Sequence, residues 1–137
     1  MRSSEMPIGY GYIRNVNLPF DQAVGGMEAA LKAEGFGVLC QIDIQGKLKE
    51  KLGIEFPHYA ILGVCNPPLA FHALQKEINL GLLLPCNAIV YEKDGQIWAG
   101  TVDAAKMLSV VGNPEMNPMA EEVNRKLRRA VDAVASS

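Results

Sequence analysis

The chain has 137 residues, the size of one ordinary domain, and a chain of this length buries roughly two-thirds of its unfolded surface in one core without needing metals or disulfides. Lys and Arg number 13 against 15 Asp and Glu, for a formal net charge of −2. No broad basic field is available to attract a polyanion, so nucleic acid is not an expected partner.

Met1-Arg2-Ser3-Ser4-Glu5 leads into no apolar stretch of signal-peptide length. No apolar run approaches the roughly 20 residues of a membrane span, so the expected setting is the cytoplasm, away from membranes. Three cysteines without paired spacing or a C-x-x-C motif fit reduced thiols. Residues 1–8 are expected to form an N-terminal tail and residues 9–137 a single α+β domain.

Tyr10 to Val16 reads as a first strand, with Asn17-Leu18-Pro19 as the turn after it. Phe20, Val24, Met27 and Leu31 then fall on one face of an amphipathic helix ending at Gly35. Gly25-Gly26 in its middle costs roughly 1 kcal/mol per glycine against alanine, which close packing on a neighbour would offset. Phe36, Val38, Cys40, Ile42 and Ile44 alternate as a strand would, placing Cys40 on the apolar face as a core residue. Gly46 to Leu52 is a short Lys-rich helical turn closed by Gly53. Its charges read as a solvated face, with a local anion contact by Lys51 as the alternative.

Tyr59 to Cys65 is apolar on both alternating sets, the pattern of a strand covered on both sides. Asn66 suits a helix N-cap and Pro67 the first helical position. Phe71, Leu74 and Ile78 give that helix its apolar stripe, and Asn79-Leu80-Gly81 ends it. Ala88 to Tyr91 and Gln96 to Val102 flank Lys93-Asp94-Gly95, a hairpin signal. Ala104 to Val110 is a further helical segment. The last helix is capped by Asn117, begins at Pro118, and buries Val123, Leu127, Ala130, Val131 and Val134. Arg128-Arg129 reads as capping and solubility.

The one unusual constellation is a pair of Cys-Asn steps, Cys65-Asn66 and Cys86-Asn87, each beside a proline and at the edge of an apolar run. Cys65 would stand just before a helix N-terminus, where unpaired backbone N–H groups favour anions and lower a thiol pKa. The alternative is a small apolar residue filling a tight junction. If the strands of Cys65 and Cys86 are antiparallel neighbours, the two cysteines lie at one end of the sheet. A right-handed crossover to a parallel strand would put them at opposite ends.

His58 and His72 lack metal-ligand spacing, and a zinc site would have to gather Cys65, Cys86 and one histidine across the fold. Asp43, Glu55 and Asp103 are scattered, and Gly9-Tyr10-Gly11 has no helix immediately after it, so it is not a phosphate loop. No cofactor is expected, and the pattern leans away from catalysis.

Gly35-Phe36-Gly37-Val38-Leu39, Leu48-Lys49-Glu50-Lys51-Leu52-Gly53, Tyr59-Ala60-Ile61-Leu62-Gly63-Val64-Cys65-Asn66-Pro67 and Leu83-Leu84-Pro85-Cys86-Asn87 together resemble the bacterial and archaeal proteins grouped as domain of unknown function 302. The resemblance runs from about Tyr10 to Val134. It implies a TATA-binding-protein-like α+β fold, a single antiparallel sheet of about five strands with long helices on one face, and a homodimer. It implies the antiparallel arrangement of the two cysteine strands, and Cys65, Asn66, Pro67, Pro85, Cys86 and Asn87 match the family pattern. It brings no activity, substrate or cofactor.

The resulting expectation is a small-ligand or thiol redox-sensing module. Cys65, Asn66, Cys86, Asn87 and Lys51 are its candidate contacts to a small anionic or thiol-reactive ligand. The alternatives are an assembly protein acting through a homodimer surface with both cysteines in the core, and soft-metal handling by Cys65 and Cys86.

Overall fold

The structure, a computed structural model, describes residues 5–137. In chain order it contains β1 (Glu5–Met6), β2 (Gly11–Val16), α1 (Phe20–Ala33), β3 (Gly37–Asp43), α2 (Ile44–Leu52), β4 (Tyr59–Cys65) and α3 (Pro67–Lys76). A 3₁₀ segment Ile78–Leu83 follows, then β5 (Cys86–Lys93), β6 (Gln96–Val102), α4 (Ala104–Ser109), a 3₁₀ turn Pro114–Met116 and α5 (Asn117–Ala135). The strands form one sheet in the order β1-β2-β6-β5-β4-β3, with every pairing antiparallel. The sixth strand beyond the expected five is Glu5–Met6, which pairs with Arg14 and Ile13 from within the segment expected to be a tail.

Turn chemistry sets the sheet register. Asp94 and Gly95 both adopt positive φ, 54° and 75°, as a two-residue hairpin loop requires, and β5 and β6 pair on either side of them. Because β4 and β5 are antiparallel, α3 and the 3₁₀ segment link neighbouring strands and are not a crossover. The parallel alternative is thereby removed.

Alternation then sorts the side chains. Ala60, Leu62 and Val64 of β4, Ala88 and Val90 of β5 and Ala99 of β6 are buried beneath Met27 and Leu31 of α1 and Leu127, Val131 and Val134 of α5. Each of the larger side chains contributes about 1.5–3 kcal/mol by leaving water. The buried face of α5 is the one its sequence period indicates, although the helix starts at Asn117 with Met116 in the cap position. Gly26 packs against α5, where an added Cβ would lie 3.6 Å from Val134 Cγ1, while Gly25 has no neighbour within 4 Å. Close packing therefore accounts for one glycine of the pair.

Four expectations change. Cys40 is exposed rather than core. The β3–β4 register shifts between Val38 and Cys40, and this bulge at Leu39 turns the remainder of the edge strand over. The opposite alternating set of β4, with Tyr59 and Ile61, joins neither core cluster, so β4 is covered by helices on one face only. On α3 the buried residue is Ala73, while Phe71 is 66% exposed; Ile78, beyond the helix, is 77% exposed. Finally, Arg128 and Arg129 are ties between elements. Arg129 forms a bidentate pair with Glu34 at the end of α1, and this pair holds the Glu34 carboxyl below its ordinary range. The Arg128 guanidinium lies 5.0 Å from the Tyr12 ring centroid and 3.8 Å from Asp103 Oδ2.

Candidate functional site

The cysteine end of the sheet is built around the junction of β4 and α3. Asn66 leaves the strand with extended backbone and caps the helix, its Oδ1 accepting from the Leu69 N–H at 3.4 Å, and Pro67 occupies the first turn, where a donor is not needed. Gly35, at φ 89°, lets α1 hand over to β3 directly beside this cap. A Cβ there would come within 3.0 Å of Asn66 Nδ2. Asn66 is thus occupied in holding backbone.

Beyond the junction, the described residues form two cores. The main one lies between the sheet, α1 and α5. A satellite gathers Ala73, Leu80, Leu108, Met116 and Ala120 from α3, both 3₁₀ segments, α4 and α5. Between them is a cavity of about 360 Å³. Phe36, Val64 and Val123 line it from the main core, and Ala73, Leu80 and Leu108 from the satellite. Met107, Met119, Ala70, Leu84 and Pro85 complete much of the wall, and Leu39, pushed out by the bulge and 65% exposed, borders it. The volume is within the roughly 300–1,000 Å³ of small-molecule sites. None of the described residues of the lining carries a formal charge.

Cys65 and Cys86 both border this cavity. In the β4–β5 ladder Cys86 pairs with Val64, so Cys65 stands one residue farther on. Burial first, and the neighbouring Cys65 second, raise the Cys86 thiol to about 11, leaving it protonated at neutral pH. By strand alternation Cys86 belongs with Ala88 and Val90 on the helix side, and Cys65 with Ile61 and Gly63 on the other. They are neighbours through the sheet, not a facing pair. The peptide before Pro85 is cis.

The other candidates lie apart from the cavity. Lys51 is an exposed residue of α2, and Asn87 is exposed on β5 opposite Gly63. Neither is part of the lining, nor is Asn66. His58 stacks on Phe20 with ring centroids 4.8 Å apart, and His72 is exposed on α3. Neither histidine lines the cavity to serve a cysteine as base. Among the described residues, no three His, Cys, Asp or Glu side chains are placed to hold a metal ion.

Sequence reading missed the wall formed by Met107, Leu108 and Met119. The available signal was the apolar excess around Leu80 and Leu84, both of which line the cavity. It also missed a polar network that joins α5 to β2 and to the start of α4. The Tyr12 hydroxyl and Arg14 Nη1 both donate to Asp132 Oδ1, at 2.6 and 2.8 Å. Asn124 donates to Asp103 and accepts the Ala104 N–H. These bonds fix α5 against β2 and α4.

The architecture is shared with the crystal structure of an uncharacterized conserved DUF302 protein from Bacillus stearothermophilus. That protein is 30% identical, the likeness covers 93% of this chain and 99% of that one, and the TM-score is 0.87. Among curated proteins, none matches. The family model described as domain of unknown function DUF302 matches residues 12–134, and the chain belongs to that family.

Proposed function

We propose that this domain binds a small, uncharged, apolar molecule in the cavity between its two cores, with the Cys86 thiol as a neutral contact. The observation that carries the reading is the lining itself, about 360 Å³ bordered by aliphatic, aromatic, methionine and cysteine residues, none of the described ones carrying a formal charge. An anion entering such a space would lose its hydration without gaining a cation, a cost of several kcal/mol. This favours an uncharged occupant over an anionic one. A redox role for the two cysteines has weaker support, because Cys86 is held as a thiol and the pair belongs to opposite alternating sets.

The neutral dye Nile red tests the reading. Its fluorescence should rise saturably with the wild-type protein, and Ala70→Trp, which fills the cavity from a half-buried position on α3, should abolish the rise while the thermal unfolding transition stays cooperative. Equal dye uptake by folded wild type and folded Ala70→Trp would count against the cavity as the site.

A further inference from the structure

One wall of the cavity is a part of the chain that the sheet does not need. Leu69, Ala70, Ala73, Leu74 and Leu80 line the cavity from α3 and the 3₁₀ segment, and the stretch from Pro67 to Leu84 that carries them only joins β4 to its antiparallel neighbour β5. Asn66 and Leu84 each stand two residues beyond the Val64–Cys86 pair, so both ends of the connection lie together at one end of the sheet. It can swing outward there without breaking a strand pairing.

Little holds the connection down. Its hydrogen bonds turn back into itself or onto its Asn66 cap: Leu69 N–H donates to Asn66 Oδ1, and the Ala70, Glu77, Leu80 and Leu84 N–H groups donate to the carbonyls of Asn66, Ala73, Glu77 and Gly81. Among the described residues, its one polar tie to the rest of the domain is Lys76 Nζ to Glu115 Oε1 at 3.6 Å, with the Glu115 side chain largely in water. A solvent-screened pair of this kind adds little. Only Ala73 and Leu80 of the connection are buried in the satellite core, and none of its residues is buried in the main one. Phe71, Ile78 and Leu82, three of its large apolar side chains, are already exposed, so they contribute nothing to keeping it closed.

We infer that Pro67 to Leu84 is a lid over the apolar cavity, hinged at its two adjoining ends and latched by Lys76 and Glu115, and that its opening admits the ligand. This rests on the reading of the cavity as a ligand site. Thin apolar burial and a lack of hydrogen bonds to the body are the properties of segments that open far below the cost of global unfolding, and hinges at element ends are where such lids turn. The sheet, α1 and α5 keep the main core intact throughout. A bound apolar molecule adds contacts to the inner side of the lid and favours the closed state.

Native-state hydrogen exchange followed by two-dimensional NMR tests the lid. An undocked helix of 10 residues does not keep its hydrogen bonds in water, so the Phe71 to Lys76 amides should exchange at least about 100-fold faster than those of Leu127 to Val131 in α5. Saturating Nile red should slow the α3 amides and leave α5 unchanged. Glu115→Gln, which removes the latch charge outside the cavity, should speed both α3 exchange and stopped-flow Nile red uptake by a similar factor, about two- to fivefold. Exchange of the α3 amides only together with those of α5, on global unfolding, would overturn the lid. So would Nile red binding that leaves α3 exchange unchanged, or Glu115→Gln speeding α3 exchange with dye uptake unaltered. Fast α3 exchange in a protein that takes up no dye would uphold the opening and reject the proposed ligand.

Discussion

Cys65 and Cys86 stand one residue out of register at the same end of two antiparallel strands, and alternation sends their side chains to opposite faces. The pairing brings the two thiols into one neighbourhood, and the pleat keeps them from facing each other. What they share is the border of an apolar cavity.

Burial of Cys86 should be visible in its reactivity. With its pKa raised from 9.0 to about 11, iodoacetamide should modify the exposed Cys40 ahead of Cys86 at neutral pH, and the Cys86 rate should keep climbing about tenfold per pH unit beyond pH 9. Mass spectrometry of the alkylated peptides measures both. A Cys86 rate already level below pH 9 would contradict its burial. The linked stability effect has a definite sign. The folded state disfavours the thiolate, so the contribution is complete below the unfolded pKa and is lost as pH rises through about 11. The loss is up to roughly 2–3 kcal/mol, and Cys86→Ala should show none of it.

Asn66 separates a capping role from a ligand role. Its Oδ1 accepts from Leu69 N–H and its amide group adjoins Gly35, so Asn66→Ala should destabilise the fold by about 1 kcal/mol. Urea unfolding reads that cost. Nile red uptake by the folded variant should match the wild type, and a selective loss of uptake at full stability would return Asn66 to the ligand contacts.

Gly63 is a fit between strands. A Cβ there would fall 2.7 Å from Cys40 Sγ and 3.0 Å from Pro85 Cγ, so Gly63→Ala should cost about 1–3 kcal/mol. Cys40→Ala removes the nearer atom. The double variant should therefore be more stable than the sum of the two single effects predicts, and simple additivity in urea unfolding would mean that Cys40 does not limit the space at Gly63.

Local pattern carried much of the fold into the sequence. Val123, Leu127, Ala130, Val131 and Val134 repeat at helical spacing and are all buried, and Asp94-Gly95 marks its hairpin through the conformations those residues adopt. Cys40 was illegible because alternation assumes an unbroken strand, and one extra residue at Leu39 reverses everything after it. Phe71 and Ile78 form a valid apolar stripe by spacing, but spacing does not say whether another element arrives to cover it. The cysteine end of the sheet was legible through its turn residues and its family likeness. The cavity was not, since it is the gap between two cores assembled from α3, α4 and α5, and no local period records a gap.

The most direct test of the central claim is a titration with n-decanol followed by methyl resonances in two-dimensional NMR. Binding in the cavity predicts saturable shifts at Leu69, Leu84, Met107 and Met119, which line it, with the Ile61 and Ile89 methyls on the opposite face of the sheet unmoved. Shifts that never saturate, or that appear at Ile61 and Ile89 while the cavity methyls stay fixed, would contradict the account.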